Sequence, residues 1–367
     1  MLINKKSLFG PEQGFFVITF AQVQAKHKLA PPLSMKRILI TGANGLLGSA
    51  TAKRFVEAGF EVSALCRAES DTSSLKEIAS KITIVEGDIL DILSLEKALE
   101  NIDYVVHSAA VVSYAPKDKN RMYKANVEGT ANVVNMCLAK GIKKLCHISS
   151  IAALGKPNVQ LKLSATDTFI DEEQKWEDSP INSHYAKTKY LSELEVWRGK
   201  AEGLPIVIVN PSVILGESNW TKSSTQLFKY AYDEHRFYSE GNLNYVDVRD
   251  VIEAIYQLIN SDIEGERFIL NGGTVSYREF FEKVAKLFNK KPPVQKVSPI
   301  LTEIIWRVEA FRSFITGKAP LITKETAKNS LMKFVYKNDK IRSELNFKFT
   351  DFDETIKRVS MFLLKSH

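Results

Sequence analysis

Tyr185 and Lys189 stand four residues apart in Tyr185-Ala186-Lys187-Thr188-Lys189, a stretch with helical spacing, so one helix face carries a phenol and an ammonium. A phenol with a pKa of about 10 is a poor proton donor or acceptor at neutral pH. A neighbouring ammonium favours the phenolate and brings that value toward the working range. The same spacing decorates many amphipathic helices, so on its own it fits a surface as well as a site. Upstream, an apolar run passes into His147-Ile148-Ser149-Ser150-Ile151-Ala152-Ala153-Leu154-Gly155. A hydroxyl at the carboxyl end of a strand can hydrogen-bond a substrate carbonyl and stabilise the charge developing on it. A third segment, Thr41-Gly42-Ala43-Asn44-Gly45-Leu46-Leu47-Gly48, follows one apolar run and opens a helix. Glycines serve where such a turn is tight, where backbone approaches a pyrophosphate and where helix meets strand. The unpaired amides and positive dipole end of the helix then favour phosphate.

These residues need a scaffold that brings them to one edge. Short apolar runs read as strands at Arg37–Thr41, Glu61–Cys66, Ile82–Val85, Tyr104–Ala110, Leu145–Ser149 and Ile206–Asn210. Helical spacing falls between them, at Leu46–Ala58, Leu93–Leu99, about Asn126–Lys140 and Tyr185–Arg198. Strict alternation predicts an α/β fold, a doubly wound parallel sheet covered on both faces, with ligands beyond the carboxyl ends of its strands. After Pro211 the alternation breaks down. Loop with a helix at Gln226–Asp233 leads to a strand at Tyr245–Val248, a helix at Asp250–Ile259 and a strand at Arg267–Leu270. Helices are expected at Ser276–Phe288, Ile300–Phe314, Lys337–Leu345 and Asp351–Leu364. The expected division is a nucleotide-binding domain over 35–211 and 245–275, and a smaller, mostly helical substrate domain or lid over 212–244 and 276–367. Phe347, Phe349 and Phe352 read as core of the latter. Trp220 and Tyr230 read either as pocket lining or as packing. Residues 1–34 read as a poorly ordered extension, with Met35-Lys36-Arg37 as a natural start.

The Gly-x-x-Gly-x-x-Gly spacing after Thr41, the Ser at the end of the fifth strand and the Tyr-x-x-x-Lys pair resemble, in order and placement, the short-chain dehydrogenase/reductase superfamily. Asn210-Pro211-Ser212-Val213-Ile214-Leu215-Gly216 and Tyr245-Val246-Asp247-Val248-Arg249-Asp250-Val251 narrow the resemblance to its extended branch, the NAD-dependent epimerase/dehydratase family. The subgroup resembled is that of dihydroflavonol 4-reductases and 3β-hydroxysteroid dehydrogenases. The resemblance covers roughly residues 35 to 365 and implies a Rossmann-like fold, a homodimer and a nicotinamide-dependent oxidoreductase. It implies Ser150, with Ser149 as its rival, Tyr185 and Lys189 as the catalytic group. Asn126 matches an Asn linked to a proton relay, and a helix cap is its other reading. The implied cofactor contacts are Gly42, Asn44, Gly45, Leu46, Leu47 and Gly48 at the phosphates, and Asp88 and Ile89 at the adenine. Ser108, Ala109 and Ala110 would pass close to the cofactor, with Ser108 where the family usually has Asn. Tyr185, Lys189, Pro211 and Val213 would lie beside the nicotinamide end. An acidic residue roughly 20 positions after the turn would grip the ribose of NAD. Here Leu65-Cys66-Arg67 takes that place, and Arg67 suits the 2′-phosphate of NADP, with NAD as the alternative and a solvated surface Arg as the bland reading.

The resulting expectation is hydride transfer between NADP(H) and a carbonyl or secondary alcohol of a small organic substrate. A NAD-dependent sugar-nucleotide epimerase is the alternative, and a non-catalytic NADP-sensing regulator a more distant one. A 4,6-dehydratase would want an acidic pair after the Ser, where Ile151-Ala152-Ala153 is apolar. In 367 residues, 44% hydrophobic and 25% charged is ordinary globular composition, which excludes a disordered or collagenous chain. No apolar run reaches the roughly 18 residues a membrane span needs. The net charge of +7 comes from basic and acidic residues interleaved without like-charge runs, so it suits an anionic ligand better than nucleic acid. Three scattered cysteines give no disulfide framework and no metal site, and His107 and His147 lack metal-ligand spacing, so a reducing, cytoplasmic setting is expected.

Overall fold

The computed structural model describes residues 35–157, 168–179, 181–220, 224–297, 306, 307, 312 and 332–366. The extension over 1–34 and most of the helix expected at Ile300–Phe314 lie outside them. From Met35, strand and helix alternate: β1 (Arg37–Thr41), α1 (Leu46–Glu57), β2 (Glu61–Cys66), β3 (Ile82–Glu86), α2 (Ile92–Ala98) and β4 (Tyr104–His107). Next, α3 (Lys119–Tyr123) passes through a π-turn (Lys124–Glu128) into α4 (Gly129–Lys140), followed by β5 (Lys144–Ile148). A short β6 (Thr168–Ile170) precedes the long α5 (His184–Ala201) and β7 (Ile206–Pro211). The remainder comprises β8 (Val213–Leu215), α6 (Thr225–Tyr232), β9 (Phe237–Tyr238), β10 (Asn242–Asp247), α7 (Val248–Asn260), β11 (Glu266–Leu270) and β12 (Gly273–Ser276). It closes with α8 (Tyr277–Leu287), β13 (Gln295–Lys296), β14 (Phe334–Tyr336), α9 (Asp339–Leu345) and α10 (Phe352–Lys365).

The main sheet has seven parallel strands in the order β11-β7-β5-β4-β1-β2-β3. This is the doubly wound arrangement, because the strand order reverses direction between β1 and β4. Both faces are covered. One is packed by Phe55 of α1 and by Val251, Ile255 and Leu258 of α7, and the other by Leu95 of α2, Val133 and Val134 of α4 and Val196 of α5. The short apolar runs of β1, β5 and β7 follow from burial on both sides, which leaves no polar alternation.

Several boundaries differ from expectation. β4 ends at His107, not Ala110, because Ser108–Ala110 leave the sheet to cross the glycine turn, and β5 ends at Ile148. The strand expected at Tyr245–Val248 is β10, and it joins β12 and β8 in a separate three-stranded sheet; the return to the main sheet is made by β11 alone. A third cluster built on Leu215, Phe228, Phe280, Phe281 and Ile356 is separate from those of the main sheet, and Phe352 belongs to it. Phe347 does not. With Ile341 it is buried in the main-sheet core, and Phe349 packs there too, because α9 contacts β11. Trp220 and Tyr230 pack on the Phe228–Phe280 cluster, and the Tyr230 hydroxyl donates to the Phe237 carbonyl.

Candidate active site

The glycine turn is shaped by contacts that no larger residue could share. Gly42 has φ +66°, and a Cβ built on it would lie 2.8 Å from the Ala109 backbone. A Cβ on Gly48 would meet the Gly42 carbonyl oxygen at 2.2 Å. The turn thereby seats β1, the start of α1 and the Ser108–Ala110 segment against one another. Ala109 N donates to Thr41 Oγ1 at 3.2 Å, and the Thr41 hydroxyl also hydrogen-bonds His107 Nδ1 at 2.7 Å. His107 Nε2 is bonded to Thr130 Oγ1 at 3.0 Å, and burial, helped by Lys189, pushes this imidazole down to about 3, so it is neutral. Helix α1 starts after Gly45 with no side chain capping it and no acidic residue in its first turn, which leaves its amides to an anion from outside the helix.

A cavity of about 570 Å³ runs from this turn along the carboxyl ends of β2, β3, β4 and β5 to α5. Its size is ordinary for a small-molecule or cofactor site. The sequence-predicted cofactor residues Gly42, Asn44, Gly45, Leu46, Leu47, Gly48, Arg67, Asp88, Ile89, Ser108, Ala109, Ala110, Tyr185 and Lys189 all line it. Pro211 and Val213 do not; Pro211 ends β7 opposite Leu270, and Val213 pairs with Tyr245, so Ile214 is what that segment presents to the cavity. Arg67 is exposed at the end of β2 and makes no ion pair among the described residues. Asp88 Oδ1 accepts from Leu90 N at 2.9 Å, which fixes the loop after β3. Ser70, Arg121 and Lys124 also line the cavity, and nothing in their spacing announced it.

At the other end, Ser183 caps α5 by accepting from Ala186 N at 2.7 Å, and Tyr185 projects from the first turn. The Tyr185 ring meets Tyr114 edge-on, with centroids 6.1 Å apart. Ser150 ends the extension of β5, and its Oγ accepts from Ala152 N at 3.2 Å. The two serines diverge. The Ser150 side chain lies beside the Tyr185 phenol, whereas the buried Ser149, which lines the cavity, has its hydroxyl on the Glu193 side without a well-formed hydrogen bond. Lys189, 2% exposed, donates from Nζ to the Ile148 carbonyl at 2.8 Å. Burial pushes its ammonium down to about 8, against the opposing pull of Glu193.

Two expectations need correction here. Tyr185 is not lowered: burial raises it, Tyr114 adds to the rise, and Ser150 offsets only part. Lys189 is turned onto the Ile148 carbonyl, so desolvation of the phenol outweighs the neighbouring charge. Asn126 is not a helix cap. It lies inside the π-turn between α3 and α4, where its carboxamide accepts from Val111 N at 2.7 Å and donates to Val111 O at 2.9 Å and to Thr188 Oγ1 at 3.0 Å. It braces the segment after β4 to the helix that carries Tyr185 and Lys189. Among the described residues no group of three His, Cys, Asp or Glu side chains could hold a metal ion, and no helix is long and apolar enough to cross a membrane. Cys66, Cys137 and Cys146 are free and buried.

The model of the NAD dependent epimerase/dehydratase family matches residues 38–271. The chain belongs to the NAD-dependent epimerase/dehydratase family. It is accordingly an NAD(P)-dependent oxidoreductase of the extended short-chain dehydrogenase/reductase type. Sterol demethylase protein B of Methylococcus capsulatus is 28% identical over 72% of this chain and 78% of its own length. A putative dihydroflavonol 4-reductase of Synechocystis is 26% identical over 83% of this chain and 88% of its own. The crystal structure of gox2253 superposes with a TM-score of 0.73 at 29% identity, covering 90% of this chain and 98% of that one.

Proposed function

We propose that the protein is an NADP(H)-dependent oxidoreductase that moves a hydride between the nicotinamide and a carbonyl or secondary alcohol carbon of a small organic substrate. The observation carrying this reading is that Tyr185 and Lys189 line the far end of the cavity that begins at the glycine turn, with the Ser150 side chain beside the Tyr185 phenol. A dinucleotide fits the residues present: the uncapped first turn of α1, and the close approach of Gly42 and Gly48 that keeps side chains out of the phosphate end. A bound nicotinamide supplies the hydride acceptor or donor.

The chain's own residues do the rest. In the reductive direction the Ser150 hydroxyl donates to the substrate carbonyl oxygen and draws charge onto it. Tyr185 delivers its proton to that oxygen as the carbon is reduced, and in the oxidative direction it takes the proton back. A phenol raised by burial holds its proton until an alkoxide develops beside it, which suits the donor role. Lys189 supplies positive charge near the ribose and the phenolate, and Asn126 holds its helix in place. Arg67, at the rim and without an ion pair among the described residues, is suited to a 2′-phosphate, which supports NADP over NAD. The names of the sterol and dihydroflavonol relatives support a ring-bearing ketone or alcohol as substrate. The resemblance further implies a homodimer as the working unit, which sedimentation of the purified protein checks.

The test is a panel of steroid, flavanonol and simple ketones together with UDP-sugars, offered with NADPH and with NADH. Net oxidation of NADPH by a ketone is expected. A tightly retained NAD, with UDP-sugar interconversion and no net oxidation, would replace this reading by the epimerase one.

A further inference from the structure

Glu193 lies one helical turn beyond Lys189 on α5 and is 2% exposed. Its carboxylate joins three elements. Asn210, near the end of β7, donates from Nδ2 to Oε1 at 2.6 Å, and Arg267 of β11 brings Nη1 to 3.5 Å from Oε2. The Ser149 hydroxyl approaches from the end of β5. Asn210 gives its other amide hydrogen to the Ser150 backbone carbonyl at 2.9 Å. Arg267 also donates to the Glu172 carbonyl and, at 2.9 Å, to that of Gln174, while Glu172 Oε1 accepts from Ile269 N at 2.8 Å. Beyond them Trp176 stacks on Tyr190 of α5 at 4.5 Å and covers Gly155, where the Ser150 turn ends. One buried carboxylate thus ties the Ser150 turn to the sheet edge and to the segment after β6.

An isolated buried carboxylate would be neutral, and this one has two cations for company. Burial pushes Glu193 above the usual carboxylate range and outweighs the opposing pull of Ser149, Asn210, Arg267 and Lys189, which favour its charged form. The groups facing Lys189 are Glu193 from α5, His107 from β4, and His147 and the Ile148 carbonyl from β5. Both imidazoles are held neutral by burial, so Glu193 is the anion that acts on Lys189.

We propose that Glu193 is a positioning residue of this active site: ionised, it clamps the Ser150 turn through Asn210 and keeps Lys189 charged. The proposal rests on Lys189 belonging to the active site, but its test reads Lys189 itself and not turnover alone. The probe is the NMR titration of the Lys189 side chain in lysine-labelled protein, assigned with Lys189→Met, for the wild type and for Glu193→Gln. The Lys189 midpoint should fall by about one pH unit in Glu193→Gln. The alkaline limb of kcat/KM should move with it, and Glu193→Asp, which keeps the charge, should restore the midpoint. An unchanged midpoint in Glu193→Gln overturns the proposal. Should that variant fail to fold, the wild-type Glu193 carboxyl carbon decides. A carboxylate signal at pH 7 supports the clamp, and a protonated one overturns it. Absence of ketone reduction in the wild type would sink the redox reading and leave these titrations readable.

Discussion

Residue chemistry at this site is set by a contest between burial and charge. Lys189 lies inside the protein with Glu193 as its counter-charge, and the ammonium is still pushed down to about 8. Tyr185 goes the other way for the same reason, since burial favours the neutral form of both groups. Arg67 is the opposite case, an exposed guanidinium at a cavity rim. Arg67→Ala should raise the KM for NADPH about tenfold, the loss of one charge-assisted contact, while that for NADH stays nearly constant. Equal effects on both cofactors in steady-state assays would remove Arg67 from cofactor choice. Residue type and spacing made Tyr185, Lys189 and the glycine turn legible. They could not separate Ser149 from Ser150, because adjacent residues leaving a strand point to opposite sides, and only packing says which side holds the phenol. Nor could they reveal Glu193, whose partners Asn210 and Arg267 come from β7 and β11.

At the level of elements, the turn between β1 and α1 works because its glycines are not equivalent. A Cβ on Gly48 would press into the Gly42 carbonyl at 2.2 Å, whereas one on Gly45 would sit 3.4 Å from it. Gly48→Ala should therefore destabilise the fold by about 2 kcal/mol or more, and Gly45→Ala should leave the melting temperature close to wild type. Comparable thermal melts for the two variants would contradict this account of the turn. The strands were legible since doubly buried β1, β5 and β7 read as unbroken apolar runs. The end of β4 was not, because Ser108–Ala110 are as small and apolar as a strand, and it is their seat on Gly42 that takes them out of the sheet. The π-turn that aims the Asn126 side chain at Val111 and Thr188 likewise leaves no trace in hydrophobic spacing.

On the scale of the molecule, the carboxyl-terminal region holds together two cores. Ile341 and Phe347 fill the main-sheet core while Phe352 and Ile356 fill the smaller one, a division that helical spacing on either side of it does not reveal. Asp247, fully buried at the start of α7, fastens α10 to this junction. Arg358 Nη2 reaches both its oxygens at 2.8 Å, Thr355 donates at 2.9 Å, and Arg249 N donates at 2.8 Å. Burial alone would raise the Asp247 carboxyl, but hydrogen bonds from Arg249 and Arg358 more than offset it and hold it below the usual carboxylate range. Its stabilisation is thus fully present above the unfolded value of about 3.9 and is lost as pH falls through the lower folded value. Asp247→Asn should cost on the order of 3 kcal/mol at neutral pH by urea unfolding, and the gap from wild type should close on acidification below about pH 4. A gap that persisted unchanged in acid would rule out a charged clamp.

The proposed redox chemistry depends above all on the Tyr185 phenol as the proton carrier beside Ser150. The most direct measurement is turnover and NADPH binding, side by side, in Tyr185→Phe. Turnover should drop by about a thousandfold or more, in the range of lost acid–base catalysis, while the NADPH dissociation constant stays within a factor of a few. Near-normal turnover in that variant would contradict the account, whatever else the cavity binds.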